Sequence, residues 1–170
     1  MTTSFPNILQ YDSMQCGVAC LQMICEYYHK KYSTNYLSGL CNTTTEGVSM
    51  LSIRDTAFAL GLESNCGKVN IKGIKKISSP CILHWNQNHF VVLYKVKKGK
   101  NFYIADPGKG LVKYSLEEFK KHWISTQSGG EEKGIAMFLE PTPAFYEKQA
   151  YSSFCRMILR SMYPIAQIAG

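Results

Sequence analysis

The chain lacks a long apolar run. Nowhere in its 170 residues does the stretch of roughly 18 apolar residues that a membrane span needs occur. The N-terminus, Met1-Thr2-Thr3-Ser4-Phe5-Pro6, has no basic region followed by an apolar stretch, so no secretory signal is expected and the protein should start out in the cytosol. A Gly-rich loop ending in Lys-Ser or Lys-Thr is also missing, which leaves no phosphate-binding loop for an ATPase. Internal repeats and low-complexity runs are absent. Acidic residues are few, 12 against 19 Lys and Arg, and the net charge is +7. Such a balance invites a nucleic-acid reading, but the cations lie in short scattered pairs: Lys75 with Lys76, Lys97 with Lys98, Lys120 with Lys121. Without a long basic stripe or a nucleic-acid motif, no nucleic acid is expected as partner. A basic surface of this kind suits anionic lipid, or simply solubility.

What is present describes one globular domain with a sizeable core. Hydrophobic residues make up 45% and charged residues 18%, a balance that is neither disordered nor membrane-like. Seven cysteines form an odd set with no paired framework, which fits reduced thiols in a reducing compartment. Cys20, Cys25, Cys41, Cys66, Cys81 and Cys155 are expected in the core. Cys16 and Cys20 are four residues apart, but no second pair at finger-like spacing accompanies them, so neither a metal nor a cofactor is expected.

The pattern of elements predicts an α+β domain, with helices first and antiparallel strands later. Asp12 or Ser13 should cap a helix over residues 14–29, with Gln15 as capping-box partner and Val18, Leu21, Cys25 and Tyr28 as its apolar stripe. A short helix is expected over 36–40. After a polar loop over 43–49, Ser49 should cap a helix that runs to about residue 60 and stops at Gly61. Strands are expected over 65–70, 81–85, 90–96, 101–105, 111–114 and 135–140. Ser115 should cap a helix ending at Trp123, and Pro141 and Pro143 close the last strand. Trp85 and Trp123 read as packing residues. Beyond residue 150, Phe154, Met157, Ile158, Met162, Ile165 and Ile168 with Arg156 and Arg160 suggest an amphipathic helix broken near Pro164.

Two segments carry chemistry. In the first, Gln10 lies six residues before Cys16, and Cys16 is expected in the first turn of a helix. Free backbone N–H groups and the helix dipole favour negative charge there and stabilise a thiolate. A nearby glutamine amide can donate to an oxyanion. The second segment is a hairpin, His89 to Val96 and Asn101 to Asp106, joined across Lys97 to Lys100. With a loop of those four residues, Val96 faces Asn101 and Val91 faces Asp106. His89 and Asp106 then share one face as diagonal neighbours. A loop of odd length would put them on opposite faces. Packing of the first helix on the sheet should bring Cys16 to the His89 face, completing a nucleophile, base and orienter. His84 is the rival base, at a strand end too, but only His89 pairs with Asp106. His29 and His122 read as surface residues on helices, Asp12 as a cap and Asp55 as a helix-face residue. Gly129 and Gly130 lie in a polar loop.

The succession of Gln10, Cys16-Gly17-Val18-Ala19-Cys20-Leu21, His89-Phe90-Val91-Val92 and Ala105-Asp106-Pro107 resembles the N-terminal peptidase domain of peptidase-containing ABC transporters. These are the double-glycine leader peptidases that process bacteriocins, and their fold is papain-like. The resemblance covers roughly the first 140 residues. It implies a peptidase domain over 1–145 and, over 146–170, a linker or tail toward a transmembrane region. It also implies that Cys16 is the nucleophile, His89 the base, Asp106 the orienter and Gln10 the oxyanion donor. The implied substrate is a leader peptide ending in Gly-Gly. The implied partners are the transmembrane and ATPase domains of an ABC transporter, in the same chain or a separate one, at the cytoplasmic face of the bacterial inner membrane. One departure is visible: the family often has Asp before the nucleophile, where this chain has Gln15. That removes a negative charge beside Cys16. Two other readings share parts of the pattern. A non-catalytic cargo-docking domain is expected to lack the nucleophile, which is present. Another papain-like enzyme, such as an acyltransferase or a transglutaminase-like protein, would share the order Cys, His, Asp.

Overall fold

The computed structural model describes residues 4–41 and 47–148; the predicted amphipathic tail and most of the polar loop at 43–49 lie outside these. Three helices come first: α1 (Cys16–Tyr27), α2 (Thr34–Leu40) and α3 (Met50–Leu60). A single 3-10 turn, Ser13–Gln15, precedes α1. Asp12 caps that turn by accepting the Met14 N–H at 2.8 Å. Gln15 is the N-cap of α1 without a side-chain cap hydrogen bond, so the expected capping box does not form. Ser49 caps α3 as expected, and Gly61 ends it at φ 92°, a left-handed conformation that glycine adopts without a Cβ penalty.

Between residues 62 and 141 the strands build one antiparallel sheet: β1 (Leu62–Asn70), β2 (Cys81–Trp85), β3 (His89–Lys97), β4 (Asn101–Asp106), β5 (Gly110–Ser115), β6 (Thr126–Ser128) and β7 (Glu131–Pro141). Its order is β1-β7-β2-β3-β4-β5, with β6 paired to β7. Three short elements were not expected from the pattern: α4 (Ile71–Ile74), β6, and α6 (Pro143–Glu147). Helix α5 (Leu116–Trp123) starts at the expected Ser115, which forms a complete capping box with Glu118.

Both faces of the sheet are covered, and the alternation along each strand sorts the side chains. Ile82, Val92, Ala105, Met137 and Leu139 pack toward α1 and α3. Leu83, Val91, Leu93, Ile104 and Ala136 pack toward Phe119 and Trp123 of α5. Strand β2 is buried on both sides apart from the half-buried His84, which explains its otherwise apolar sequence. The same sandwiching corrects the narrow stripe expected for α1. Nine of its twelve residues are buried, because sheet, α2 and α3 enclose it. Cysteine burial holds for Cys20, Cys25, Cys41 and Cys81, but Cys66 is exposed on β1. Cys155 lies outside the described residues.

The β3–β4 register differs from the expected one in an instructive way. Lys97 pairs with Asn101 and Val96 with Phe102, so the loop has three residues, Lys98 to Lys100, an odd number. By itself that would separate His89 from Asp106. A β-bulge between Leu93 and Lys95 adds one residue to β3 and restores the parity, giving Leu93 opposite Ile104 and Val92 opposite Ala105. Continued by one residue, this register sets Val91 beside Asp106, as expected, through two compensating shifts. The bulge also has a packing reason. It turns Val96 onto the α5 face beside Phe102 and leaves Lys95 and Lys97 exposed. The bulged Tyr94 turns toward α1 and stacks on Phe5 at 4.5 Å, tying down the N-terminal segment.

Candidate active site

Cys16 is the first residue of α1, where the backbone N–H groups of the first turn have no helical partners. It is 6% exposed. Gly17 lets α1 come this close to its neighbours: a Cβ there would stand 2.8 Å from Ile53 Cδ1 and 3.3 Å from Phe90 Cδ2. His89 is the first residue of β3 and Asp106 the last of β4. His89 Nε2 and Asp106 Oδ1 are 2.7 Å apart. The same Oδ1 accepts the Gly108 N–H at 2.8 Å, and Lys109 N–H closes a turn on the Asp106 carbonyl at 3.0 Å. An Asp-Pro-Gly turn with the aspartate bonded two residues ahead is legible in the sequence, and it supplies the second donor that motif matching overlooked.

The electrostatics follow from this geometry. Burial raises the Asp106 carboxyl, but the His89 and Gly108 hydrogen bonds and the nearby His89 and Lys109 charges outweigh it and hold the group below its ordinary value. The carboxylate is thus ionised and accepts, and Nε2–H donates. Burial likewise pushes the His89 imidazole down. Hydrogen bonds to Asp106 and Cys16, and the charges of both, outweigh it and raise the ring to about 9. With Nε2 committed to the carboxylate, Nδ1 is the nitrogen left for the Cys16 sulfur. Cys20, one turn below, is driven well above the usual thiol range by burial and by Cys16 and Asp106, and so stays protonated as core.

The structure brings Cys16 and His89 together, since the His89 ring feels both a hydrogen bond and the charge of the Cys16 sulfur. Cys16 is the first residue of α1 and His89 the first of β3.

Gln10 is held beside the site by the chain that follows Asp106: its N–H donates to the Pro107 carbonyl at 3.0 Å. Its side-chain Oε1 is buried and makes no hydrogen bond within the protein, and the same is true of Gln15 Oε1. Unpaired buried amides cost about 1–3 kcal/mol each and concentrate at functional sites. His84 stands apart from Asp106. Burial lowers it, and its ring bonds the Gln87 backbone. His29 is exposed as expected, whereas His122 is not a free surface residue: its ring stacks on Trp85 at 5.2 Å. Trp85 and Trp123 are both buried. Asp55 pairs with Arg54 on the exposed side of α3. Gly129 and Gly130 form the exposed turn between β6 and β7. Among the described residues, no group of three or more His, Cys, Asp or Glu is gathered closely enough to hold a metal ion.

A thiol at a helix start, an imidazole and a carboxylate at the ends of neighbouring antiparallel strands define a cysteine peptidase of papain-like architecture. Residues 4–127 match the model of the Peptidase C39 family, and the chain belongs to that family. It is 29% identical over 161 residues to the Colicin V secretion/processing ATP-binding protein CvaB of Escherichia coli, covering 94% of this chain and 22% of that protein. It is 31% identical over 173 residues to the Lactococcin-G-processing and transport ATP-binding protein LagD of Lactococcus lactis subsp. lactis, covering 96% and 23%. Among solved structures, a double glycine motif protease from an AMS/PCAT transporter in complex with the leader peptide superposes with a TM-score of 0.71 at 36% identity, over 82% of this chain and 93% of that one. The peptidase domain of Streptococcus ComA gives 0.69 at 26%, over 82% and 100%. The chain spans about a fifth of the length of the curated relatives it matches.

Proposed function

We propose that this C39 peptidase cleaves leader peptides after a Gly-Gly pair and works beside the transmembrane and ATPase domains of a peptide-exporting ABC transporter, on the cytoplasmic side of the membrane. The observation that carries the reading is the linked set of Cys16, His89 and Asp106 on a fold shared with a double-glycine protease. No helix among the described residues is long and apolar enough to cross a membrane.

Cys16 thiolate attacks the carbonyl carbon of the second glycine. The carbonyl π pair moves to oxygen, and the oxyanion is met by the Cys16 N–H and the Gln10 amide. His89, as imidazolium, protonates the leaving amine while the carbon–nitrogen bond breaks. The neutral ring then takes a proton from water, which attacks the thioester and releases the leader. Asp106 keeps Nε2–H pointed at itself throughout and leaves Nδ1 facing sulfur. Glycine at the cleavage point suits a narrow cleft that rejects side chains. The rest of the leader docks its apolar face on the domain surface as an amphipathic helix.

The test is a mass-spectrometric assay with a synthetic leader–cargo peptide carrying Gly-Gly at the junction, under reducing conditions. Cleavage after the second glycine by the wild type, and none by Cys16→Ala, is the expected result. Binding without cleavage by both proteins would instead make the domain a docking module.

A further inference from the structure

The three-residue turn that delivers His89, Asn86-Gln87-Asn88, is built in an unfavourable conformation. Asn86 has φ 50° and Gln87 φ 63°, both in the left-handed region, and neither is glycine. Conformations of this kind persist only where surrounding contacts over-determine them. Here the contacts come from two histidines with no part in the chemistry. On the α1 side, the His84 ring bonds the Gln87 backbone. On the α5 side, His122 makes two bonds to one residue: its carbonyl accepts the Asn86 N–H at 2.9 Å, and its Nδ1 lies 2.8 Å from Asn86 Oδ1. The amide oxygen can only accept, so Nδ1 carries the proton. The His122 ring stacks on Trp85 at 5.2 Å and 20°, and meets Tyr114 edge-on at 5.6 Å. Trp85 in turn is the cross-strand partner of His89.

We infer that His122 is a positioning residue for the reaction: by clamping Asn86 through its Nδ1–H, it sets where the His89 imidazole stands between Cys16 and Asp106. The inference rests on the reading of His89 as the base. His122 touches no reacting atom, and its ring belongs to a helix that otherwise only packs the far side of the sheet. Its influence runs through one turn. His89 begins one residue after that turn, and a base displaced by an ångström loses contact with sulfur, with carboxylate or with both.

His122→Phe keeps the ring on Trp85 and removes the donor. His122→Asn restores a donor near the Nδ1 position. Cleavage of the Gly-Gly peptide and iodoacetamide alkylation of Cys16, resolved from the other thiols by mass spectrometry, are measured for both, with His89→Ala as reference. The Phe variant is expected to lose about tenfold in kcat and in Cys16 alkylation near neutral pH with KM unchanged. The alkaline limb of its kcat/KM profile should move down from about 9, as the hold of Asp106 on His89 loosens. The Asn variant should recover most of both rates. If His122→Phe matches the wild type in kcat, alkylation and alkaline limb while His89→Ala loses all three, the positioning role is wrong and the catalytic reading stands. If His89→Ala itself leaves cleavage and alkylation intact, the base assignment falls and takes the inference with it. Should the Phe variant fail to fold, Asn86→Gly carries the same test, since it keeps the left-handed backbone and deletes the acceptor. Wild-type rates in it would overturn the proposal.

Discussion

At the scale of single residues, Asp106 is held by two donors. Its carboxylate accepts from both His89 and Gly108, and its hydrogen bond and charge, together with those of Cys16, lift the imidazole above its ordinary value despite burial. Asp106→Asn keeps an acceptor for Nε2–H but removes the charge. The expected outcome is an alkaline limb of kcat/KM that falls from about 9 toward 6.5, with partial activity retained below it. Asp106→Ala should lose activity across the whole range. A pH–rate profile of the two variants separates charge from hydrogen bonding. Gln10→Ala should cost roughly 10²–10³ in kcat, the scale of one oxyanion donor. An unchanged rate would remove Gln10 from the oxyanion site. Among these residues the sequence was informative because each is marked by its type and by its local setting: a thiol at a helix start, a histidine opening a strand, an aspartate before Pro-Gly. Cys66 was misplaced for the opposite reason. Burial of a lone cysteine depends on whether anything covers its strand, and the middle of β1 is exposed on both faces.

At the scale of elements, the β3–β4 hairpin decides whether there is a site at all. Its loop is odd and its bulge compensates, so the bulged Tyr94 sets the parity that unites His89 with Asp106. Deleting Tyr94 is expected to abolish Cys16 alkylation by separating the two, because a one-residue slip sends each side chain of a strand to the other face. Tyr94→Phe keeps the backbone count and the stack on Phe5, and should be nearly silent. Mass-resolved alkylation distinguishes the two directly. The seating of α1 is a second such feature. Gly17→Ala pushes a methyl to within 2.8 Å of Ile53 Cδ1 and should destabilise the domain by about 1–3 kcal/mol, with Ile53→Val relieving much of it in urea unfolding. Capped helices and buried strands were legible because caps and apolar periodicity are local. The bulge was not, because it answers to a packing partner on another strand and to Phe5 at the far end of the chain.

At the scale of the whole molecule, the His89–Asp106 pair couples folding to pH. His89 is raised on folding, so its contribution is complete below 6.5 and is lost as pH rises through about 9. Asp106 is lowered on folding, so its contribution is complete above 3.8 and is lost as pH falls through its depressed value. Both are intact between about 3.8 and 6.5. Urea unfolding against pH should therefore show a plateau across that window, declining on either side. In Asp106→Asn the dependence from this pair should flatten. A flat wild-type profile would mean that the pair is equally formed in the unfolded chain.

The sequence by itself determined the chemistry and the class of fold. Cys16, His89, Asp106 and Gln10 could be proposed as site residues because their residue types and near neighbours state what they can do, and helix caps and apolar runs outline an α+β domain. Only the tertiary structure decided how those residues meet. It brought Cys16 to His89, offset an odd hairpin loop by a bulge, and set His84 and His122 against the turn before His89. The physical reason is that register, twist and burial are settled by contacts between segments distant in the chain, where a single added residue inverts a face and no local pattern records it.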